Sequence, residues 1–475
     1  MRCLALSVLL LGPAAAAPPP LGPTPEFRLT EPERTTLSNG IPVLLVRTGE
    51  VPVADVRLVV RAGATSDPVG RPGLADWTAA MLLEGAGGKD PLAFAEAVDR
   101  LGARLSVATD WDASTLVLHA PLARLEPALA LMADAALRPS LRPEDWKRLA
   151  ERRATGFLEA RDDPSDLSDF AVARAVWGTE HRYGTPVQGS PPSLAAVTLE
   201  ELGAFHRAQW RPDRVFLVVA GAVERTRVIP LLEKAFGSWK GEGPAPADPE
   251  ISTAVSRRPR RKGFEVVLVD RPGAAQSVLS AVGRTTEALR PFDPANAVMN
   301  TLLGGSFTSR LNDNLREQHG YAYGAGSGFD LRRRGGVFEA GGSVATDVTA
   351  PALGELVREL TRIRTPASAQ EVERARTYYA LSLPQQFATT REVAAFWADV
   401  ETMGVPAERV RALLPSALRV DPAALAGSAA RDVRPEELVY VVVGDRAKVE
   451  KELREAGFAP TRVWKVEDLL GPAPR

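Results

Sequence analysis

Thiols are nearly absent from this sequence: its 475 residues contain one cysteine, Cys3. A single cysteine at the N-terminus builds no disulfide framework and no Cys-rich zinc site. Histidine is scarce as well. The four present, His119, His181, His206 and His319, are scattered, and none lies within a helical turn of another. No local pair of metal-binding histidines follows from such spacing, and scattered carboxylates alone hold zinc weakly. An excess of either charge is missing too, because 58 basic and 59 acidic residues leave a net charge of −1. That balance gives no argument for nucleic acid or an anionic membrane as partner. No apolar run reaches about 18 residues, so no membrane-spanning helix is expected. A Gly-x-Ser-x-Gly nucleophile elbow is also lacking.

What remains is ordinary globular composition, with 45% hydrophobic and 25% charged residues. The length is too great for one core and calls for two or three domains. At the N-terminus Arg2 precedes an apolar run, Leu4 to Leu11, and then Ala14 to Ala17. A basic start, a short apolar stretch and an alanine-rich end read as a secretory signal peptide over residues 1–17. The chain is therefore expected to be exported, to the periplasm or the exterior, and to lose Cys3 with the signal. Residues 18–26 are proline-rich and read as an extended spacer.

Strand-like and helix-like segments then alternate. Ser38-Asn39-Gly40 is a turn between two strand-like pieces, and Val51 to Val60 alternates as a strand. Gly73 to Gly85 (Gly-Leu-Ala-Asp-Trp-Thr-Ala-Ala-Met-Leu-Leu-Glu-Gly) is an apolar helix pattern between glycines. Asp76 and Ala80, one turn apart, share a face of it. A helix from Pro91 to Leu101 and strands at Leu105–Thr109 and Ser114–Ala120 follow. Helices are expected at Leu125–Leu137, at Pro143 to about Arg161, and at Phe170–Trp177, with Asp162-Asp163-Pro164 as a stop. The capping box Thr198-Leu199-Glu200-Glu201 opens another helix, and Val215–Gly221 is a buried strand.

Residues 237–262 break this pattern with Gly and Pro and then a basic run, Arg257 to Lys262. A solvated interdomain linker is the better reading, against a site for something anionic. Beyond it the chain begins again. Leu82-Leu83-Glu84-Gly85 is echoed by Leu302-Leu303-Gly304-Gly305, and Val218-Val219-Ala220-Gly221 by Val441-Val442-Val443-Gly444. Both pairs are about 220 residues apart, and the order of elements between them agrees, which reads as an internal duplication. The expected units are residues 27–236 and 263–468.

The most specific string lies in the second unit: Leu302-Leu-Gly-Gly-Ser-Phe-Thr-Ser-Arg-Leu-Asn-Asp-Asn-Leu-Arg-Glu-Gln-His-Gly-Tyr-Ala-Tyr323. It resembles the C-terminal signature of the pitrilysin/insulysin/mitochondrial-processing-peptidase family. Gly63, Gly73-Leu74-Ala75, Tyr183-Gly184, Gly189 and Trp210-x-Pro212 fit the same family, and the resemblance spans about residues 27 to 455. It implies an α+β fold of two duplicated domains. Each would be a mixed, mainly antiparallel sheet backed by helices, in a clamshell arrangement. It also places Gly73–Gly85 in the frame of the family's inverted zinc motif, His-x-x-Glu-His. There the motif positions read Asp76, Ala79 and Ala80, and the distal glutamate position falls at or near Gly156. Glu151 and Glu159 flank it as surface charges.

The resemblance therefore implies no metal and no cofactor in this chain. In active members an arginine and a tyrosine of the second half contact substrate and polarise the scissile carbonyl; the matching residues are Arg316 and Tyr323. A salt-bridged Arg316 and a packed Tyr323 stand as the plain alternative. The expected function is the non-catalytic subunit of a secreted heterodimeric zinc metallopeptidase. Its partner would be a paralogue with an intact zinc motif, which would hold the zinc. Its ligand would be a peptide or unfolded polypeptide. The alternatives are a structural scaffold subunit and a stand-alone periplasmic peptide-binding clamshell.

Overall fold

The computed structural model describes residues 29–247, 264–285, 291–333 and 335–472. The expected signal peptide, the spacer and the basic run Arg257–Lys262 lie outside these residues.

The first half runs β1 (Glu33–Thr36), β2 (Pro42–Arg47), β3 (Val53–Val60), α1 (Leu74–Met81), α2 (Pro91–Asp99), β4 (Arg104–Thr109), β5 (Ser114–Pro121), α3 (Leu125–Leu137), α4 (Pro143–Ala160), α5 (Pro164–Trp177), α6 (Pro191–Ala196), α7 (Leu199–Gln209), β6 (Val215–Gly221) and α8 (Arg225–Phe236). The second half runs β7 (Glu265–Asp270), β8 (Gln276–Arg284), α9 (Pro294–Leu303), α10 (Arg310–Asn312), β9 (Ala322–Arg332), β10 (Gly335–Ala345), α11 (Thr349–Arg362), α12 (Ala369–Ser382), α13 (Thr390–Thr402), α14 (Ala407–Ala417), α15 (Pro422–Asp432), β11 (Val439–Gly444), α16 (Arg446–Glu455), β12 (Arg462–Lys465) and α17 (Val466–Leu470).

The expected duplication is visible in the sheets. One is ordered β1-β2-β6-β3-β5-β4 and the other β12-β7-β11-β8-β10-β9. Five strands correspond in place and direction: the β2/β6 and β7/β11 pairs are parallel, and the three pairs outward from β6 and from β11 are antiparallel. The halves differ at one edge. There β1 lies antiparallel to β2, whereas β12 returns from the C-terminus parallel to β7. The inner strands β6 (Val-Phe-Leu-Val-Val-Ala-Gly) and β11 (Val-Tyr-Val-Val-Val-Gly) are buried along their whole length. Strands covered on both faces read as continuous apolar runs, as these do.

What covers their second faces is supplied by the other half. Leu167, Phe170 and Ala171 of α5 share a core with Val267, Val269, Val282, Val441 and Val443 of the second sheet. Reciprocally, Val393, Ala394 and Trp397 of α13 pack with Leu44, Val46, Val59, Phe216 and Val218 of the first. The C-terminal segment adds a strap: Arg161 Nη1 donates to the Gly471 carbonyl at 2.9 Å. The halves thus meet through two buried apolar cores.

Two local expectations change. Asp162-Asp163-Pro164 ends α4, as expected, but it also starts a helix. The Asp163 carboxylate caps the N–H groups of Ser165 and Asp166, and Pro164 occupies the first turn of α5, where its missing N–H costs nothing. The start of the expected linker is held to the first half. Arg211 donates to the carbonyls of Glu242 and Gly243, both at 2.8 Å, and Arg214 to that of Pro246 at 2.7 Å.

Several carboxyls between the halves carry a titratable penalty, since burial raises those of Glu339, Asp112 and Asp399. Asp169 is exposed at the rim of the interface, where partial desolvation, then the negative charges of Glu339 on β10 and of Asp166 and Asp163, push its carboxyl up to about 6. The folded chain holds this proton more tightly than the unfolded chain. The associated stability is present below the ordinary carboxyl range and is lost as pH rises through about 6. Asp169→Asn is expected to raise the melting temperature at pH 8, by an amount that shrinks as the pH falls through 6 towards 4; calorimetry across that range checks it.

Candidate functional site

Helix α1 begins at Gly73, whose φ of 101° is in the left-handed region. A Cβ there would also meet the Trp77 ring at 2.6 Å, so both backbone and space require glycine. The loop before it is fixed by Asp67. This carboxylate is wholly buried and accepts from the N–H groups of Gly73 and Ala75, both at 2.7 Å. It also pairs with the Arg182 guanidinium at 2.7 Å. The helix that fits the zinc-motif frame is therefore well anchored.

Its chemistry is that of packing and ion pairing. Ala79 is buried in the core of the first half, and Ala80 packs against the core shared between the halves. Asp76 lies 2.8 Å from Nη2 of Arg153 on α4. One turn beyond the alanines, Glu84 meets Arg148 and Arg152 of the same helix. Gly156 is exposed, with open space where a side chain would be, and Glu151 and Glu159 are exposed. These residues do not fit zinc. The one carboxylate on the motif face is matched to a guanidinium, the neighbouring positions are methyl groups, and α4 presents arginines in place of an acid. Among the described residues, no three His, Cys, Asp or Glu side chains come together as a metal cluster.

The histidines have separate surroundings. His206 is buried, with Nε2 2.9 Å from the Ala136 carbonyl, and burial lowers its pKa. His181 accepts from the Tyr183 N–H and stacks on Trp177. His119 lies beside buried Asp55 and His319 beside Glu355.

In the second half, α9 ends at Gly304, and a Cβ on that residue would lie 2.2 Å from the Ser327 nitrogen of β9. The bend lets the Gly304 carbonyl accept from the Ser327 N–H at 3.2 Å. Asn300 and Asn312 extend the contact: Asn300 Nδ2 donates to the Ser327 carbonyl, and Asn312 Oδ1 accepts from the Ala325 N–H. Side chains thus cover part of the outer edge of β9, which would otherwise be open for pairing. Arg310 donates twice to Glu371, at 3.0 and 2.8 Å, tying this segment to the start of α12. Burial alone would raise the Glu371 carboxyl, but Ser368 and Arg310 bring it down to about 2.

Arg316 lies in a wide π-helical turn, Asp313–Gln318, a form that is rare and concentrates at functional sites. Gly320, at φ 65°, ends the turn and returns the chain into β9. Arg316 and Tyr323 are brought together: the guanidinium carbon lies over the Tyr323 ring, 5.6 Å from its centroid. Tyr323 is 91% exposed. The only ion pair recorded for Arg316 among the described residues is a 3.5 Å contact with neighbouring Glu317. Tyr321 does not join them: it precedes β9, packs against the core and stacks on His319.

Sequence reasoning missed two sets of residues. One is the arginines of α4, whose signal was the spacing of Arg148 and Arg152 opposite an acid-bearing helix. The other is Phe307, a lone aromatic residue in a Gly-Gly-Ser-Phe-Thr-Ser loop. Its ring lies 4.6 Å from the guanidinium carbon of Arg316.

Comparison with known proteins gives the family. Residues 42–166 match the insulinase (peptidase family M16) domain, and residues 196–379 match the peptidase M16 inactive domain. An uncharacterized zinc protease of Mycobacterium tuberculosis is 30% identical over 302 residues, which is 63% of this chain and 67% of that protein. This chain belongs to peptidase family M16. A second M16 relative, an uncharacterized zinc protease of Mycobacterium leprae, is 29% identical over 299 residues, 63% of this chain and 66% of its own length. The crystal structure of a peptidase M16 inactive domain from Pseudomonas fluorescens superposes with a TM-score of 0.78 at 23% identity, covering 87% of this chain and 97% of that one. The fold is thus the M16 fold, and the chain is consistent with a non-catalytic M16 subunit.

Proposed function

We propose that this M16 chain is the non-catalytic subunit of an exported heterodimeric zinc metallopeptidase. It pairs with a paralogue that keeps the zinc motif, binds an extended peptide or unfolded polypeptide, and donates Arg316 and Tyr323 to the composite site. The observation that carries this reading is the contrast between the two halves. Around Asp76 the charges are matched internally, whereas Arg316 and Tyr323 converge at the surface with donor groups turned over to few internal partners.

The chemistry divides accordingly. Any metal-bound water belongs to the partner. This chain supplies fixed donors: a planar guanidinium and a phenol O–H can both meet a peptide carbonyl oxygen as negative charge builds on it. The two-ring stacking and the short π-helical turn hold those donors in place before substrate arrives. A peptide-binding clamshell made by this chain alone is disfavoured, because opening between its halves would expose both shared cores to water. The chamber then lies between this subunit and its partner.

Reconstitution tests the reading. The mature chain is co-expressed with the zinc-motif M16 paralogue of its own genome, and the product is assayed for mass, zinc content and peptide hydrolysis. A 1:1 complex that cleaves peptides, with neither subunit active alone, is the expected result. A mixture that cleaves no faster than the paralogue alone refutes it. A complex whose activity ignores Arg316 and Tyr323 leaves the chain as a scaffold subunit.

A further inference from the structure

Phe307 has so far served only as a ring beneath Arg316, yet it is 63% exposed on a well-held loop. Its carbonyl accepts from Asn312 Nδ2 at 2.7 Å, and Asn312 Oδ1 accepts from the Ala325 N–H of β9 at 3.2 Å. On its other side, Ser306 Oγ donates to the Thr301 carbonyl of α9 at 3.1 Å. Phe307 is therefore tied both to the helix behind it and, through Asn312, to the strand that carries Tyr323. The Arg316 guanidinium carbon lies over both rings, at 4.6 Å from that of Phe307 and 5.6 Å from that of Tyr323. Two exposed aromatic rings are thus held at a fixed place by backbone anchors and by one shared cation.

We propose that Phe307 and Tyr323, joined through Arg316, form a recognition clamp for one large apolar side chain (leucine, methionine or phenylalanine class) of the bound polypeptide. The proposal rests on the reading of Arg316 and Tyr323 as substrate donors and adds a side-chain preference to it. The size of the feature selects the occupant. Thr308, next to Phe307, and Asp313, Glu317 and Gln318, on the turn that carries Arg316, are exposed and polar, so the apolar surface is flanked by polar residues along the chain. A subunit interface needs about 800 Å² on each partner with an apolar centre, whereas one residue of an extended chain needs only a carbonyl acceptor site and a side-chain perch beside it. Rigid anchoring lowers the ordering cost of binding, which is where exposed aromatic residues act as affinity hot spots.

The test uses the reconstituted pair, with zinc removed by a chelator so that peptides bind without being cut, and dye-labelled 12-residue peptides identical except for Phe, Leu, Ala or Asp at one central position, read by fluorescence anisotropy. The Phe and Leu peptides are expected to bind about tenfold more tightly than the Ala peptide, the usual discrimination for a few methylenes. Phe307→Ala should erase that preference while leaving the melting temperature unchanged, and Phe307→Leu should restore most of it. Tyr323→Phe keeps the ring and removes only a hydroxyl that acts mainly in the transition state, so it should keep both the affinity and the preference. No preference in the parent pair, a preference that survives Phe307→Ala, or no binding at millimolar peptide overturns the clamp. Loss of preference in Phe307→Ala, with full-rate peptide hydrolysis by a complex carrying Arg316→Ala or Tyr323→Phe, keeps the clamp and refutes the donor reading. The reverse pattern keeps the donors and refutes the clamp.

Discussion

Arg316→Ala is expected to lower peptide hydrolysis by the reconstituted pair about 100- to 1,000-fold, the usual effect of removing one fixed donor to a developing oxyanion. Its effect on folding should be small. The side chain is about one-third exposed, makes one 3.5 Å ion contact and otherwise stacks on two exposed rings. The loss should fall mainly on kcat, because a donor that strengthens in the transition state contributes little to ground-state binding. Tyr323→Phe should show a smaller loss of the same kind. The measurement is kcat and KM for a peptide substrate, together with the mass of the complex. A full-rate complex containing Arg316→Ala would remove the trans-donor role. A variant that no longer assembles would place Arg316 in the subunit interface.

Asp67→Ala should cost about 3–5 kcal/mol of stability, the range for breaking one side of a buried ion pair. The Asp67 carboxylate is fully buried and joins three groups: the N–H groups of Gly73 and Ala75 at the start of α1, and Arg182 in the loop after α5. Without it, Arg182 keeps its bonds to the Ala64 and Thr185 carbonyls but loses its counter-charge. Two N–H groups of the first helical turn lose their acceptor as well. Asp67→Asn should cost less, since the amide oxygen can still accept from one or both N–H groups. Denaturant unfolding followed by tryptophan fluorescence is suited to this comparison, because Trp77 sits in the affected turn. A change below about 1 kcal/mol for Asp67→Ala, within the range of an exposed ion pair, would mean that water reaches Arg182 freely.

Much of the fold was legible in the sequence because each half buries its strands on both faces. Continuous apolar runs such as Val215–Gly221 and Val439–Gly444, repeated with the same order of elements, announced two copies of one mixed sheet. The capping box at Thr198 was a local signal and was read correctly. The start of α5 was read only as a stop, since Pro164 is compatible with both and the choice depends on the apolar face that α5 buries against the other half. The absence of zinc-motif chemistry at Asp76, Ala79 and Ala80 was legible from residue types. That Asp76 meets Arg153, and Glu84 meets Arg148 and Arg152, was not, because the pairs join helices separated by some 70 residues of chain.

By itself, then, the sequence determined the duplicated α+β architecture, the M16 resemblance and the identity of Arg316 and Tyr323 as candidate donors. The architecture follows from periodicity and residue type, which are local properties of the chain; the two donors are what the resemblance implies. Only the tertiary structure decided that each half covers the other's sheet and that α4 turns arginines to the motif helix. It alone set Phe307 over the guanidinium of Arg316, with Tyr323 on the same cation. Those outcomes depend on which apolar faces find each other and on loops anchored by side-chain hydrogen bonds, and no local pattern encodes a contact between elements that distant in the chain.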